Sequence, residues 1–424
     1  MDTPNVTYGL LGRTLGHSWS PQIHARLGST PYALVEREPD EVRDYLANGS
    51  WTGLNVTIPY KRVAAEMADL QSPRVKRLGV ANTLVRTAEG IFAENTDVLG
   101  FAWLLSRFFE HKVGIPAEAA LADAKVLVLG SGGACQAVCA ALEDVAPCHI
   151  HVISRTGDDT YETLADRHRD ARLVVNTTPV GMYPHCPDSP LADATFAALA
   201  DLLGVIDVVY NPERTGICLQ AEAAGIPYQS GLEMLVSQAF YASQLFQHKD
   251  LDDSLVEQIE HEIRANQRNI VLIGMPGAGK TSTGRALARV LRRPFIDLDD
   301  ALEVEAGKSA AAYIVGHGED AFRKLESEIA ACYGAQSGLV IACGGGVVTR
   351  ARNYAYLHQN GTIVYIDRPL YQLTTSGRPL SQNRGIRQLA AERLSLYQEW
   401  ADMTISCTGS AQGDAMLVKA KLEL

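Results

Sequence analysis

The chain of 424 residues has few of the features that mark secreted, membrane-spanning or nucleic-acid-binding proteins. Its eight cysteines include no Cys-x-x-Cys pair, so we expect free thiols rather than a disulfide framework or a zinc site. No apolar run is long enough to cross a bilayer, and the opening Met1–Val6 stretch does not look like a signal peptide. The net charge of −11 is opposite to that of a nucleic-acid binder. We therefore predict a cytoplasmic protein without a membrane or nucleic-acid partner; its oligomeric state stays open.

Two pairs of residues whose side chains can bind metals lie close together in the sequence. His149 and His151 are two residues apart on a predicted strand, so their imidazoles share one face. No third ligand stands near them, and we therefore interpret them as a structural pair rather than a metal site. Cys135 and Cys139 are one helical turn apart and are interpreted as buried free thiols.

Two glycine-rich turns indicate an α/β protein, because each lies between an apolar run and a helical pattern. The turn GSGGAC follows Val126–Leu129, and the turn GMPGAGKT follows Ile270–Ile273. Short apolar runs in this setting predict buried parallel strands of β-α-β units. Further strands are predicted at Tyr8–Leu11, Tyr32–Val35, Gly53–Val56, His149–Ile153, Leu173–Asn176 and Val205–Val209.

The polar stretch between residues 248 and 268 contains neither proline nor glycine. Its apolar residues Leu251, Leu255, Ile259 and Ile263 recur every four positions. This spacing predicts a helix with one apolar face rather than a flexible linker.

The second glycine-rich turn satisfies the GxxxxGK[ST] pattern of a phosphate-binding loop. Glycines let the backbone curl so that successive N–H groups point at phosphate oxygens. Lys280 would reach the β- and γ-phosphates, and the Thr281 hydroxyl would bind Mg²⁺. The predicted nucleotide-binding residues are Gly277, Ala278, Gly279, Lys280 and Thr281.

Carboxylates and glycines downstream of this loop suggest a site for a small substrate. Asp297 and Asp299 end a predicted strand and would share a face, one for the metal and one for a substrate hydroxyl. The alternative is a helix N-cap, because Asp299 and Asp300 precede a helical stretch. Three glycines, Gly344–Gly346, follow the next apolar run and suit close approach to a ligand.

Over residues 269–424 the chain resembles shikimate kinase, through the motifs GMPGAGKT, FIDLDD, FRKLE, CGGGVV, GRPL and ERLSLY. The resemblance implies that Asp299 assists the attacking hydroxyl, that Asp297 supports the Mg²⁺ shell and that Arg378 meets the γ-phosphate from a lid. An arginine common just before GRPL is absent, and Arg368 is the nearest substitute. Shikimate itself would be held by Asp299, Arg323, Gly344, Gly345, Gly346 and Arg393.

The first glycine-rich turn resembles the GxGxxG motif of dinucleotide-binding sites but lacks its last glycine. The next predicted strand ends near Ser154, and the sequence there reads Ser154-Arg155-Thr156. A carboxylate at this point would bind a ribose 2′-hydroxyl, whereas an arginine accommodates a 2′-phosphate. This favours NADP over NAD, although Asp158 and Asp159 would repel a phosphate if they point inward. The predicted NADP-binding residues are Gly130, Ser131, Gly132, Gly133, Ala134, Ser154, Arg155 and Thr156.

Residues 6–265 resemble shikimate dehydrogenase, through GHSWSP, NVTIPYK, ANTL, ENTDVLGF, GSGGA, SRT, NTTPVGM, VVYNPE and GLEMLVSQA. The resemblance implies a catalytic pair of Lys61 and Asp97, with the lysine moving the proton of the substrate oxygen. Trp19 and Asp159 depart from the residues that are common at their positions. The implied substrate-binding residues are Ser18, Ser20, Thr57, Asn82, Tyr210 and Gln238.

Together the two resemblances imply an α/β chain of three domains. Residues 1–101, completed by helices in about 232–265, would bind the dehydrogenase substrate; residues 102–231 would form a Rossmann-like NADP domain; and residues 266–424 would form a P-loop kinase with a parallel sheet.

The expected function is bifunctional. NADPH would reduce 3-dehydroshikimate to shikimate, and ATP with Mg²⁺ would convert shikimate to shikimate 3-phosphate. One alternative is an NAD-dependent quinate/shikimate dehydrogenase fused to the kinase. In another alternative, one half of the chain is a ligand-sensing module. The presence of the implied catalytic residues Lys61, Asp97, Lys280 and Arg378 argues against it. We expect shikimate to diffuse freely between the sites.

Overall fold

In the computed structural model, which describes residues 6–16, 18–373 and 385–423, the chain forms two units. Helices and largely parallel sheets make up each unit, so the predicted α/β class is confirmed. No helix of the described ranges has the length and apolarity to cross a membrane. Unit 1 consists of Met1–Pro179, Pro190–Tyr210 and Gln220–Glu262, and unit 2 of Val180–Ser189, Asn211–Leu219 and Ile263–Leu424.

The first sheet of unit 1 is mixed and has the strand order β2-β1-β3-β5-β6-β4. Strands β1, β2 and β3 run parallel, whereas β5 is antiparallel to both β3 and β6. The carboxyl end of β3 leads into the loop that presents Lys61. The strands are β1 Val6–Gly12, β2 Tyr32–Glu36, β3 Trp51–Val56, β4 Leu70–Gln71, β5 Thr83–Thr87 and β6 Gly90–Glu94.

The second sheet of unit 1 is wholly parallel, with the order β11-β10-β9-β7-β8. Strands β7 and β9 are apolar almost throughout and buried, as expected for a parallel sheet covered on both faces. The strands predicted at His149–Ile153 and Leu173–Asn176 are confirmed residue for residue. The strands are β7 Lys125–Leu129, β8 His149–Ile153, β9 Leu173–Asn176, β10 Gly204–Asp207 and β11 Tyr228–Gln229.

Helices α5 and α11 pack closely and carry residues of the first candidate site. A Cβ at Gly100 of α5 would lie 2.9 Å from backbone and side-chain atoms of Gln238, so only glycine permits this approach. The helices are α1 Ser20–Arg26, α2 Val42–Asn48, α3 Lys61–Glu66, α4 Pro73–Leu78, α5 Thr96–Phe108, α6 Ala117–Leu121, α7 Gly133–Val145, α8 Leu164–Arg167, α9 Asp193–Ala197, α10 Gly216–Ala223, α11 Leu232–Gln247 and α12 Ser254–Gln267.

Helix α12 confirms a helix between residues 248 and 268 but starts later than the spacing predicts. His248 takes a left-handed conformation that ends α11, and the Asp252 carboxylate accepts a hydrogen bond from the Ser254 N–H at the new start. The buried stripe is therefore Val256, Ile259 and Ile263, rather than one that includes Leu251 and Leu255.

Unit 2 contains a five-stranded parallel sheet with the order β13-β14-β12-β15-β16, which confirms the predicted parallel sheet. The central strand β12 is buried along its whole length and leads into the GMPGAGKT loop. The strands are β12 Asn269–Ile273, β13 Phe295–Asp297, β14 Val340–Ala342, β15 Gly361–Asp367 and β16 Met403–Ser406. The helices are α13 Lys280–Leu291, α14 Leu298–Ala306, α15 Ala310–His317, α16 Glu319–Gly334, α17 Arg352–His358, α18 Ile386–Trp400 and α19 Ala411–Lys421.

Two short segments from the middle of the chain belong to unit 2, and Glu213 anchors one of them. Its carboxylate lies 2.6 Å from Nη1 of Arg264 and 3.0 Å from Nη2 of Arg268. The neighbouring Arg214 donates to the backbone carbonyl of His358. Burial raises the pKa of Glu213, but the three arginines outweigh it and bring that pKa down to about 2. The carboxylate is therefore held as an anion among cations.

Candidate active sites

Lys61 and Asp97 form an ion pair in unit 1, with Nζ 2.6 Å from Oδ2. Lys61 is the first residue of α3, directly after the proline turn that follows β3, and Asp97 lies in the first turn of α5. The side chains are 26% and 18% exposed, so each reaches solvent or a ligand while remaining paired. The helix N-terminus adds partial positive charge beside the carboxylate.

A buried network of amides and hydroxyls fixes the start of α5. The Asn82 side chain donates to Oγ1 of Thr96 at 3.0 Å and accepts from the Thr96 backbone N–H at 2.7 Å. Asn55 donates to Oγ1 of Thr83 and accepts from the Tyr32 hydroxyl. Asn82 was predicted to bind substrate, and in the structure its amide also sets the position of Asp97.

The remaining predicted residues contribute hydroxyl, amide and aromatic groups. Ser18 donates to Oγ of Ser20 at 3.1 Å. Gln238 of α11 donates to the Leu235 carbonyl. The ring of Tyr210 lies 5.0 Å from that of Trp19, so the unusual Trp19 packs on a predicted site residue.

These side chains surround one cavity of about 400 Å³, which we call the Lys61 cavity. All eight predicted catalytic and substrate-binding residues of this part line it, as does Ala134 of the glycine-rich turn. Sequence reasoning did not select Asn55, Thr14 or Met234, which also line it. Asn55 could have been found as a polar residue between the apolar Leu54 and Val56 of β3. The eight are Ser18, Ser20, Thr57, Lys61, Asn82, Asp97, Tyr210 and Gln238.

The glycine-rich turn between β7 and α7 suits a dinucleotide phosphate. Gly132 precedes α7 without a side-chain hydrogen bond to cap the helix. A Cβ at Gly132 or Gly133 would meet no atom within 4 Å, so there is room for a ligand against the backbone. The first N–H groups of a helix bind anions well. The turn around Gly132 and Gly133 therefore has room for an anionic group such as a pyrophosphate.

The aspartate that was expected to disturb a phosphate has other partners. Asp159 Oδ2 lies 3.1 Å from Nδ1 of His151, and its Oδ1 lies 3.0 Å from Nε2 of His168 and 2.8 Å from Nη1 of Arg167. The expectation that His151 pairs with His149 and has no other potential ligand nearby is therefore wrong. Asp159 and His168 come from a loop and from the end of α8, whose folding the sequence spacing does not reveal.

The phosphate-binding loop of unit 2 has left-handed backbone at Gly277 and Gly279, with φ of 86° and 101°. Lys280 is buried, and its ammonium donates to the backbone carbonyls of Gly274 and Met275 at 2.9 and 3.1 Å. The loop thus folds around its own lysine. Helix α13 follows without a side-chain cap, which leaves its N-terminus available to phosphate.

The carboxylates after the loop are arranged differently from the prediction. Thr281 donates to Oδ2 of Asp297 at 2.7 Å, so a hydroxyl and a carboxylate suited to Mg²⁺ lie together. Asp299 is not on the strand, because β13 ends at Asp297 and α14 begins at Leu298. The N-cap is Asp297, whose Oδ1 accepts from the Asp299 N–H, so both the shared strand face and a cap at Asp299 are wrong.

Arg323 forms a buried ion pair with Glu326 one helical turn away, at 2.8 and 3.0 Å from its two oxygens. Burial raises the pKa of Glu326, against the opposing effect of Arg323. A Cβ at Gly346 would collide with the Arg323 guanidinium, and one at Gly344 would lie 2.5 Å from Oδ1 of Asp299. The glycines therefore make room for the charged side chains themselves.

These residues border a second cavity of about 540 Å³, which we call the Lys280 cavity. Arg393 donates to the Gly345 carbonyl, while its buried Nε has no hydrogen-bond partner among the described residues. Arg368 also lines the cavity, but Ala278 and Asp297 are not among its lining residues. Arg378 lies outside the described residues. The predicted residues that line it are Gly277, Gly279, Lys280, Thr281, Asp299, Arg323, Gly344, Gly345, Gly346 and Arg393.

Family models match both parts of the chain. The model for "Shikimate kinase" matches residues 276–422, and the model for "Shikimate dehydrogenase substrate binding domain" matches residues 10–84. The "Shikimate dehydrogenase (NADP(+))" of Clostridium beijerinckii is 32% identical over 270 residues, which cover 59% of this chain and 95% of that protein.

Solved structures agree with this division. The shikimate 5-dehydrogenase of Thermus thermophilus, in complex with NADP(H) and shikimate, is similar with a TM-score of 0.51 and 29% identity, covering 61% of this chain and 99% of that one. The quinate dehydrogenase of Corynebacterium glutamicum in complex with NAD is similar with a TM-score of 0.52 and 26% identity, covering 61% and 98%. The chain therefore belongs to the shikimate dehydrogenase family and continues into a shikimate kinase domain, which makes it a bifunctional shikimate-pathway enzyme.

Proposed function

We propose that the Lys61 cavity reduces 3-dehydroshikimate with NADPH and that the Lys280 cavity phosphorylates the resulting shikimate with ATP and Mg²⁺. The observation that carries this proposal is the convergence of all eight predicted dehydrogenase residues on one cavity of about 400 Å³. Three domains with the boundaries expected from the sequence, 1–101 completed by helices in about 232–265, 102–231 and 266–424, would supply these activities. We also propose a cytoplasmic location and no nucleic-acid partner.

In the reduction, Lys61 is proposed to give a proton to the substrate carbonyl oxygen as it becomes the 3-hydroxyl. NADPH, when bound, supplies the hydride to the carbon of that carbonyl. Asp97 keeps the ammonium oriented at 2.6 Å, and Asn82 keeps Asp97 in place through Thr96. General acid catalysis of this kind contributes about 10²- to 10⁴-fold to rate. Ser18, Ser20, Thr57, Tyr210 and Gln238 would hold the carboxylate and ring hydroxyls.

In the phosphorylation, Asp299 is proposed to accept the proton of the attacking 3-hydroxyl. Lys280 and Thr281 would contact the nucleotide phosphates and Mg²⁺, with Asp297 supporting the metal through the Thr281 hydroxyl. Arg323 and Arg393 would bind the shikimate carboxylate, because guanidinium groups match carboxylates in a bidentate manner. The unpartnered Nε of Arg393 supports this role. Arg378 retains its proposed role at the γ-phosphate.

The proposed cofactor is NADP(H) rather than NAD, and Arg155 supports that choice. Its guanidinium is exposed at the end of β8, where it would meet a ribose 2′-phosphate. The alternative of an NAD-dependent quinate/shikimate dehydrogenase is kept, since a quinate dehydrogenase has a similar structure. Comparing NADPH with NADH, and shikimate with quinate, separates the two. Equal or better rates with quinate and NAD would reject the NADP proposal.

A coupled assay tests the whole proposal. The purified chain is supplied with 3-dehydroshikimate, NADPH, ATP and Mg²⁺, and shikimate and shikimate 3-phosphate are followed by chromatography. We expect NADPH consumption first and shikimate 3-phosphate as the end product, with free shikimate visible as an intermediate. Consumption of NADPH without phosphorylation, or phosphorylation of added shikimate without reduction, would assign one part a non-catalytic role.

A further inference from the structure

A cluster of four titratable side chains lies at the loop that carries Arg155 and has no role in either reaction. Its centre is Asp159, which is 19% exposed and contacts His151, Arg167 and His168 at 2.8 to 3.1 Å. His168 is buried, and His151 lies on β8, the strand that leads to Arg155. Hydrogen bonding to the histidines lowers the pKa of Asp159 from its ordinary value. The carboxylate is thus held as an anion by groups that belong to the protein.

The same contacts fix the loop between β8 and residue 160. The Ser154 N–H donates to the Asp159 carbonyl, and Ser154 and Thr160 form an isolated bridge. Arg167 donates both to the Asp159 carboxylate and to the Asp158 carbonyl. Arg155 lies within this closed loop, is exposed, and interacts electrostatically with Tyr161. The loop is therefore tied at its base while its arginine remains available.

A metal ion is the competing explanation for this cluster. Ligand atoms of His151, Asp159 and His168 lie within 4.8 Å of one another, which is close enough for a divalent cation. However, the Arg167 guanidinium contacts the same carboxylate at 2.8 Å and would repel such an ion. Both carboxylate oxygens also have nitrogen partners already. The Arg167 contact therefore favours a cluster of ion pairs around Asp159 over a metal site, although neither ring nitrogen of the buried His168 makes a hydrogen bond to a described residue.

We propose that Asp159 is a positioning residue for cofactor selection: bound by His151, His168 and Arg167, it turns its charge away from the cofactor and fixes the loop that presents Arg155 to the 2′-phosphate. This inference rests on the proposed NADPH-dependent reduction. It reverses the simple electrostatic expectation, in which an aspartate beside a 2′-phosphate site disfavours NADP. A rigid arginine loses less conformational entropy on binding than one on a loose loop.

The substitution Asp159→Asn gives opposite results under the two views. If Asp159 fixes the loop, loss of its charge weakens the contacts with Arg167 and the histidines, and the KM for NADPH rises about three- to tenfold. The KM for NADH and the kcat with saturating cofactor stay unchanged, because neither depends on the 2′-phosphate. If Asp159 instead repels the phosphate, removing its charge lowers the KM for NADPH. That result would overturn the proposal.

Asp158→Asn is the matched control, because Asp158 is the exposed neighbour and its carbonyl, not its carboxylate, takes part in the network. It removes the same charge from the same loop and should leave the KM for NADPH unchanged or slightly lowered. Equal increases for both variants would show that the loop depends only on net charge, contrary to the proposal. Similar increases with NADH would indicate general damage to the loop and would also count against it.

Two further results keep this inference separate from the proposed function. If the unaltered chain reduces 3-dehydroshikimate with neither cofactor, the proposed function fails and the cofactor comparison has no basis. If the chain is active and Asp159→Asn leaves the NADPH-to-NADH preference unchanged, the inference alone fails. Equilibrium dialysis against Zn²⁺ tests the competing explanation: one bound zinc that is lost in Asp159→Asn would assign the cluster to a metal and overturn the proposal.

Discussion

The Lys61 cavity and the Lys280 cavity hold their charged groups in different ways. In the first, Lys61 and Asp97 pair with each other and are both partly exposed, while neutral amides and hydroxyls fix the helix behind them. In the second, the main cations are buried and bound by protein groups. Lys280 is bound by two loop carbonyls and Arg323 by Glu326.

The difference matches the charges of the proposed ligands. A carbonyl reduction needs one proton donor beside an otherwise neutral polar pocket, whereas phosphoryl transfer requires several cations close together around phosphates and a carboxylate. Cations gathered in one buried cavity repel each other unless anions or carbonyls compensate them. The second site therefore requires more supporting protein groups than the first, and glycines at Gly344 and Gly346 that leave room for them.

The largest expected effect on catalytic rate comes from substitution of Lys61 in the partly exposed Lys61–Asp97 pair. Lys61→Ala should lower kcat for 3-dehydroshikimate reduction by about 10²- to 10⁴-fold, because it removes the ammonium proposed to protonate the substrate oxygen. Phosphorylation of shikimate should be unchanged. Steady-state assays of both reactions measure this, with Lys76→Ala, at an exposed position on α4, as the control. Loss of both activities would argue against independent sites.

Lys280→Ala, in unit 2, should have the next largest effect. Removing the ammonium takes away positive charge at the phosphates and should lower kcat for phosphorylation by about 10²- to 10³-fold. The reduction should proceed at its normal rate. Lys308→Ala, at an exposed lysine, is the control. Retention of full kinase activity in Lys280→Ala would refute the assignment of the phosphate-binding loop.

Gly346→Ala tests whether the glycines are required to leave room for the charged side chains of the Lys280 cavity. The added methyl group would displace Arg323, so the KM for shikimate should rise about tenfold, with little change in the KM for ATP. Gly316→Ala is the control, because its Cβ would meet no atom within 4 Å and α15 gains a better helix former. An unchanged KM in Gly346→Ala would show that Arg323 does not bind shikimate.

The smallest effect on turnover is expected at Glu213, which lies in neither cavity. Glu213→Gln should leave both kcat values unchanged but lower the free energy of unfolding of unit 2 by about 3 kcal/mol, because three arginines lose their carboxylate. The pKa of Glu213 is about 2 in the folded chain against 4.5 ordinarily, so its contribution is present above about pH 4.5 and is lost as the pH falls toward 2. Thermal melts across this range measure it.

The exposed Glu328 provides the reference for that measurement. Glu328→Gln removes a carboxylate that is 58% exposed and 4.0 Å from Lys324, a pair of little energetic value. Its melting curves should follow those of the unaltered chain at every pH. If Glu213→Gln behaves in the same way, the ion cluster does not stabilise unit 2.

Much of the first cavity could be predicted from sequence, because its residues occur in short motifs at the ends of strands. Lys61 and Asp97 are 36 residues apart, yet each lies in the first turn of a helix that follows a strand of the same sheet, and parallel and antiparallel pairing brings those ends together. The strand at His149–Ile153 was predictable because it is the next strand after the first glycine-rich turn and its helix, as a β-α-β unit requires.

Two features escaped prediction for physical reasons, and a third could have been found from sequence spacing. The prediction that Asp299 shares a strand face with Asp297 is wrong, because the chain becomes helical at Leu298 and Asp297 caps that helix. Asp159 and His168 come together through a loop whose path the sequence pattern does not determine. Glu326 was detectable, since it stands three residues after Arg323 on a helix, where side chains are neighbours.

The two short segments that belong to unit 2 have a consequence for separating the activities by cleavage. The segment Asn211–Leu219 follows Tyr210 of the Lys61 cavity directly, yet Glu213 and Arg214 make their contacts with Arg264, Arg268 and the end of α17. A fragment that begins at residue 263 would therefore lack part of its own fold, and the backbone carbonyl of the buried His358 at the end of α17 would lose its donor Arg214. Gene dissection at the apparent junction should yield a kinase fragment that melts at a lower temperature than the kinase within the intact chain.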